Sequence, residues 1–480
     1  MKAELITNRK GSGLVEVIIA IAILSLGLSS AILLAFANQS LKISSITNNE
    51  ALGKAEILIE KARADASEDF SSVVSMSPLA DDIYMKSLDV VDIDIFTKEV
   101  TSNVSWTGEH GEALAIELVT LLTDPESVLG GDTCTEEVTG DWTNPERFGY
   151  GDITSDDGAT GLDAFNHRVY LTTTPSGPPQ HDFYIFDVSD PNPAGPPAGK
   201  LPILSSLDTG YGLEDVRVAG RFVYVVAADT FTVQLVVIDA IDVINPLVIS
   251  EFDATPVGIT GYGNTLAYAD SKVYLGLTKS TGPEMYVIDV SDPLNPATVG
   301  TLETNTAINQ IVIDRDNDIA YIALADPLAG QLWKVDISDP TNPTVLQKFF
   351  PGTANWVGQG VALSKTTTDI FLGRIYDVGA NDVDLYALDS SDLSATPMDT
   401  VTQTWDDGFS RMVVRSGLLF ASNNQPNLGF QVWDVSDPTN MTMFGSLNIQ
   451  QASTAGMDCE GNYIFIGQRS NRALQIIGPS

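Results

Sequence analysis

Cysteine, histidine and positive charge are all scarce in this chain of 480 residues. Two cysteines, Cys134 and Cys459, leave room for one disulfide in an exported chain and none for a disulfide-rich scaffold. Three histidines, His110, His167 and His181, form no pair at metal-ligand spacing, and no Cys/His cluster accompanies them. A Gly-x-Ser-x-Gly nucleophile elbow and a glycine-rich phosphate loop are also missing, so the sequence is read as that of a non-enzyme without a resident cofactor. Lysine and arginine total 25 against 63 aspartates and glutamates, a formal net charge of −38. Such a chain repels nucleic-acid phosphates and anionic membrane surfaces, and it has no basic patch with interleaved aromatics; nucleic acid is excluded as a partner. The acidity is read as solubility of a displayed domain, since net charge speaks to solubility rather than fold.

What the chain does have is a distinctive beginning. A leader ending in Arg9 and Lys10 precedes Gly11, Ser12 and Gly13, and a lone carboxylate, Glu16, opens a largely apolar run over residues 14–37. A helix of that length crosses a bilayer of about 30 Å hydrocarbon thickness. An ionisable group at its edge costs up to about 2.5–3.5 kcal/mol and is tolerated when paired. An ordinary secretory signal would be cut after the apolar core, near Ser29, Ser30 and Ala31, but the core is too long for that. A plain signal anchor gives no role to Glu16 or to the Gly11 junction.

The pattern resembles the leader of type IV prepilins. The resemblance implies that a prepilin peptidase cuts after Gly11 and exposes the amine of Ser12. It also implies that Glu16 pairs with the amine of a neighbouring subunit during assembly. Residue 12 is Ser where the family usually has Phe or Met, which leaves methylation of the new amine open.

Past the apolar run, Leu41, Ile46, Leu52, Ala55, Ile59 and Ala62 recur near helical spacing, with Ser, Thr and Asn at 44–49 weakening the middle. Two strand-like segments follow, Ile93 to Trp106 and Ala113 to Leu122, around a polar turn. The stretch is most similar to V-type minor pilins and I-type minor pseudopilins. The expected first domain is therefore an α+β pilin stem over residues 12–127, a long N-terminal helix on a small antiparallel sheet, after a leader at 1–11. Residues 128–145 read as a linker.

Everything beyond is repetitive. Phe186-Asp-Val-Ser-Asp-Pro191 returns at Ile288–Pro293, Val335–Pro340 and Trp433–Pro438, with degenerate copies at Ile238–Val243 and Leu388–Leu393. Leu474 to Ile477 fits the strand of a seventh copy. The period of about 45–53 residues is that of propeller blades. Each copy follows an apolar strand, a tight polar turn and an aromatic strand, as in Val216 to Tyr224. The wording resembles the LVIVD repeat family, which implies an all-β propeller, here over residues 146–480 with seven blades. The last repeat lacks its outer strand, which Arg147 to Thr154 can supply. That closure brings Cys134 near the blade carrying Cys459 and makes them the expected disulfide. In the repeated motif, Ser and the second Asp start a turn that Pro fixes, a structural role. Asp314, Asp316 and Asp318, at alternate positions of one hairpin turn, are the nearest approach to a calcium motif, but they lack an EF-hand's glycine and terminal glutamate.

The sequence thus predicts a minor pilin-like subunit of a type IV pilus that displays a propeller as a recognition and adhesion head. Its helix is expected in the cytoplasmic membrane before assembly, with the propeller outside the cytoplasm. Expected partners are other pilin subunits, the prepilin peptidase and an unidentified extracellular ligand. The alternatives are a type II-like secretion pseudopilin with a cargo-binding propeller and a membrane-tethered propeller enzyme.

Overall fold

The computed structural model describes residues 46–480 apart from 68–69, 95–96, 109–110, 124–133, 135–137, 154–157, 175–179, 194–198, 231, 257, 327, 329, 353–355, 366, 377–381, 404–407, 424–428 and 450–452. The chain forms two compact units, one up to Pro125 and one from Glu126 to Ser480.

In the first unit, helix α1 (residues 46–67) lies on a four-stranded antiparallel sheet of β1 (Met76–Asp81), β2 (Tyr84–Asp94), β3 (Thr97–Thr107) and β4 (Ala113–Thr123), paired in chain order. Ala51, Ala55, Leu58, Ile59, Ala62 and Ala66 recur at three- and four-residue intervals and form the buried stripe of α1. They meet Tyr84, Leu88, Val100, Val104, Trp106 and Leu122 from the sheet. The hydroxyl of Tyr84 donates toward the Thr47 carbonyl, 3.2 Å away, and toward the Glu50 carboxylate, also at 3.2 Å, fastening β2 to the first turns of the helix.

Two expectations are corrected here. The fold class built on a long N-terminal helix does not hold: 53% of the structure is strand, and α1, at 22 residues, is short. The reason is that four-stranded sheets account for nearly all of the chain after residue 70. The single-pass anchor expected for the localisation is also overturned, because no helix among the described residues is long and apolar enough to cross a membrane. Helix α1 carries Glu50, Lys54, Glu56, Glu60, Lys61, Arg63 and Asp65, and each charge at a bilayer centre would cost about 2.5–3.5 kcal/mol. Gly11, Ser12, Glu16 and the apolar run 14–37 lie outside the described residues.

The second unit is a β-propeller-like ring. Among the described residues seven blades follow one another, six of four strands and the last a five-stranded sheet, each beginning with its inner strand. Those inner strands are Gly161–Phe165 (blade 1), Leu213–Ala219 (blade 2), Gly263–Ala269 (blade 3), Ile308–Asp314 (blade 4), Trp356–Leu363 (blade 5), Arg411–Arg415 (blade 6) and Thr454–Glu460 (blade 7). Each packs against the next, and that of blade 7 packs against that of blade 1. Glu146–Gly151 pairs with the last strand of blade 7, Leu474 opposite Gly151 and Gly478 opposite Glu146, so a segment from before blade 1 completes blade 7. Closure leaves no long open edge. Of the stretch expected as a linker, residues 138–145 dock into this unit: Trp142 is buried against Phe420, Ile449 and Ile464.

The repeated aspartates form tandem turns. The first accepts the backbone N–H two residues on, Asp187 from Ser189 at 2.9 Å and Asp336 from Ser338 at 2.9 Å. The second does the same one step later, Asp190 from Asn192 at 3.1 Å and Asp339 from Thr341 at 3.0 Å. The degenerate copies keep the pattern at Asp239 and Asp242 and at Asp389 and Asp392. These hydrogen bonds hold the Asp187, Asp336 and Asp389 carboxyls below the usual carboxylate range, the serine hydroxyls contributing most.

Candidate functional site in the central channel

Seven inner strands side by side enclose a channel, and one backbone irregularity recurs where they begin. Blades 2, 3, 4, 5 and 7 each carry a register shift there, between Leu213 and Val216, Gly263 and Thr265, Ile308 and Gln310, Gly358 and Gly360, and Thr454 and Gly456. A bulge re-aims the residue it adds. The residues at these points are Glu214, Asn264, Asn309, Gln359 and Ala455, and all of them line one mouth of the channel with Arg411 and Arg469, a cavity of about 210 Å³. Asn264 donates its amide N–H to the Ile308 carbonyl of the next blade at 2.6 Å. Asn309 does the same to Gly358 at 2.7 Å.

Deeper in, acidic and amide groups staple neighbouring blades. Asp458 accepts from Ala164 N–H at 2.7 Å, Asp163 from Val218 N–H at 2.7 Å, Asp215 from Leu266 N–H at 3.0 Å and Gln310 from Val361 N–H at 2.9 Å. Asp215 also takes the Thr265 hydroxyl at 2.8 Å and the Arg217 guanidinium at 3.1 Å. These bonds satisfy backbone donors that would otherwise be stranded between blades. At the far mouth a larger cavity of about 500 Å³ is lined by Asp163, Arg217, Tyr268, Met412, Met457 and Asp458 among others.

Burial sets the electrostatics of the channel. It pushes Asp163 well above the ordinary carboxylate range; nearby Asp458 adds to the rise, and Arg217 opposes it. Glu214 is raised to about 7, burial outweighing Arg469, whose guanidinium lies 3.0 Å away, and Arg411. Arg411 is shifted down, again chiefly by burial.

The residues singled out from the sequence sit elsewhere. Asp314 ends the inner strand of blade 4 and accepts from the Asn317 amide at 2.9 Å, while Asp316 and Asp318 are exposed in the following turn. The three carboxylates do not converge. Among the described residues one group of three metal-ligating side chains lies within 4.8 Å, Cys134, Asp458 and Cys459, and its two sulfurs are bonded to each other as a disulfide. His167 is exposed in the blade 1 hairpin, His181 contacts the Ser206 hydroxyl at 2.6 Å, and His110 lies outside the described residues. The sequence reading missed Glu214, Asn264, Asn309, Gln359, Arg411 and Arg469. Superposing the repeats would have shown most of them as one polar column within otherwise apolar strands.

A scan against protein families matches the LVIVD repeat at residues 281–304, 317–349 and 426–449. LVIVD repeats are present. They cover blades 3, 4 and 6 in part, and no comparison supports the prepilin resemblance of the leader. No curated protein matches the chain. Among solved structures, the chain is similar to one in the "Crystal Structure of Mitotic Checkpoint Complex", at 13% identity and a TM-score of 0.52, covering 72% of this chain and 94% of that one. A second similarity, with Sqt1 from Chaetomium thermophilum, has 13% identity and a TM-score of 0.45, covering 68% of this chain and 82% of that one. The first likeness shows the fold alone, a β-propeller-like repeat domain.

Proposed function

We propose that this protein is a minor pilin-like subunit of a type IV pilus whose ring is a recognition head, a binding module rather than an enzyme. The observation that carries the binding reading is the use made of the channel's acids. Asp163, Asp215 and Asp458 accept backbone N–H groups of neighbouring blades, which fits them for rigidity rather than for proton transfer to a substrate. The subunit reading is supported by Gly11, Ser12 and Glu16 in the leader and by a helix packed on an antiparallel sheet in the first unit. The bulk of the second unit, Glu126 to Ser480, favours a sparse or terminal position over packing on every subunit.

The test is to shear filaments from cells that make the protein and to measure its N-terminal peptide by mass spectrometry. We expect a peptide beginning at Ser12 in the filament fraction. A chain still beginning at Met1 and absent from filaments would sink the subunit reading.

A further inference from the structure

Where the inner strands begin, the described lining of the channel mouth carries two arginines and one glutamate in a protein of net charge −38. Its charged lining residues are Glu214, Arg411 and Arg469. Glu214 and Arg469 are paired at 3.0 Å, and the nearby Asp215 is occupied by Arg217, Thr265 and two backbone N–H groups. Among the described residues the Arg411 side chain makes one hydrogen bond, from Nη1 to the Ser410 carbonyl at 2.9 Å, and feels the Asp215 and Glu214 carboxylates without bonding to them. Arg411 lines the mouth, and a planar guanidinium fork can bind a carboxylate bidentately.

The amides define what else the ligand carries. Asn264 and Asn309 each commit one amide N–H to the next blade, which leaves each a second N–H and a carbonyl oxygen. A donor and an acceptor side by side suit hydroxyl groups on a ligand, which both give and take hydrogen bonds. Gln359, whose side chain makes no hydrogen bond among the described residues, offers both a donor and an acceptor. At about 210 Å³ the cavity is below the roughly 300–1,000 Å³ typical of drug-sized ligands and admits one ring-sized group.

We propose that this mouth binds a hydroxylated carboxylate of the sugar-acid class, with Arg411 holding the carboxylate and Asn264, Asn309 and Gln359 holding hydroxyls. The inference deepens the recognition-head reading and is independent of the pilus stem.

Calorimetric titration of the full chain with glucuronate, glucose and acetate tests it. Glucuronate should bind, with glucose and acetate each at least tenfold weaker because each supplies half of the complement. Arg411→Gln should weaken glucuronate at least tenfold, and Arg411→Lys should recover part of the loss. Gln359→Ala, which removes no side-chain hydrogen bond seen among the described residues, should weaken it several-fold and decides the matter if Arg411→Gln does not fold. Equal binding of glucose and glucuronate, unchanged binding in either variant, or no heat with millimolar glucuronate would each overturn the proposal. The filament peptide above is indifferent to these results, so the site and the subunit reading can fail separately.

Discussion

Glu214 and Asp336 are both acids in the ring, yet their surroundings drive their ionisation in opposite directions. Asp336 sits in a surface turn where the Ser338 hydroxyl and N–H stabilise its charge. Glu214 is half-buried in the channel mouth, and the loss of water outweighs its pairing with Arg469. Folded Glu214 therefore keeps its proton up to about pH 7, whereas the unfolded chain releases it near 4.5. Between those values the folded state binds more protons, so stability falls as pH rises. Asp163, Asp182 and Glu460 are raised by burial as well and contribute in the same direction. Glu214→Gln should make that fall shallower by on the order of 3 kcal/mol. Urea unfolding at a series of pH values checks it, and parallel stability curves for variant and parent would count against the assignment.

At the scale of elements, the inner strands and the segment at 138–151 determine whether a row of blades becomes a ring. The strand Glu146–Gly151 completes blade 7, and Trp142 just before it is 1% exposed, edge-on to Phe420 at 4.7 Å. The Cys134–Cys459 bond secures the same segment to the inner strand of blade 7. Trp142→Ala empties a buried site between blades 6 and 7 and should cost about 3–5 kcal/mol, measured by denaturant unfolding of the full chain. A cost within the scatter of surface substitutions would mean that the segment is not part of the core. Glycine is required at Gly408, where φ is +52° and a Cβ would fall 1.6 Å from the Arg374 carbonyl. Composition alone does not show that requirement.

For the whole molecule, the division into two compact units has a thermal consequence. Each has its own apolar core, one under α1 and one running from blade to blade. A closed ring has no terminal repeat from which to fray, so its blades should melt together. Scanning calorimetry of the full chain should resolve two transitions, the larger belonging to the ring. A train of small transitions would indicate blades unfolding singly.

The repeats, their number and their turn chemistry were legible because they depend on near neighbours. An aspartate that accepts an N–H two residues on forms the same turn wherever the motif occurs, and the four-strand period follows from spacing. In the first unit β3 alternates as its sequence predicts, but β1 and most of β2 went unread, since Pro78 interrupts one and Asp89, Asp92 and Asp94 mask the other. Only the tertiary structure assembled the channel. Glu214 meets Arg469 across 255 residues of sequence, and each lining residue belongs to a repeat that is unremarkable when read singly. Their shared cavity and their altered ionisation arise from burial, a property of how the blades surround a residue. The sequence therefore determined the blade, while ring closure alone decided which polar side chains face one another.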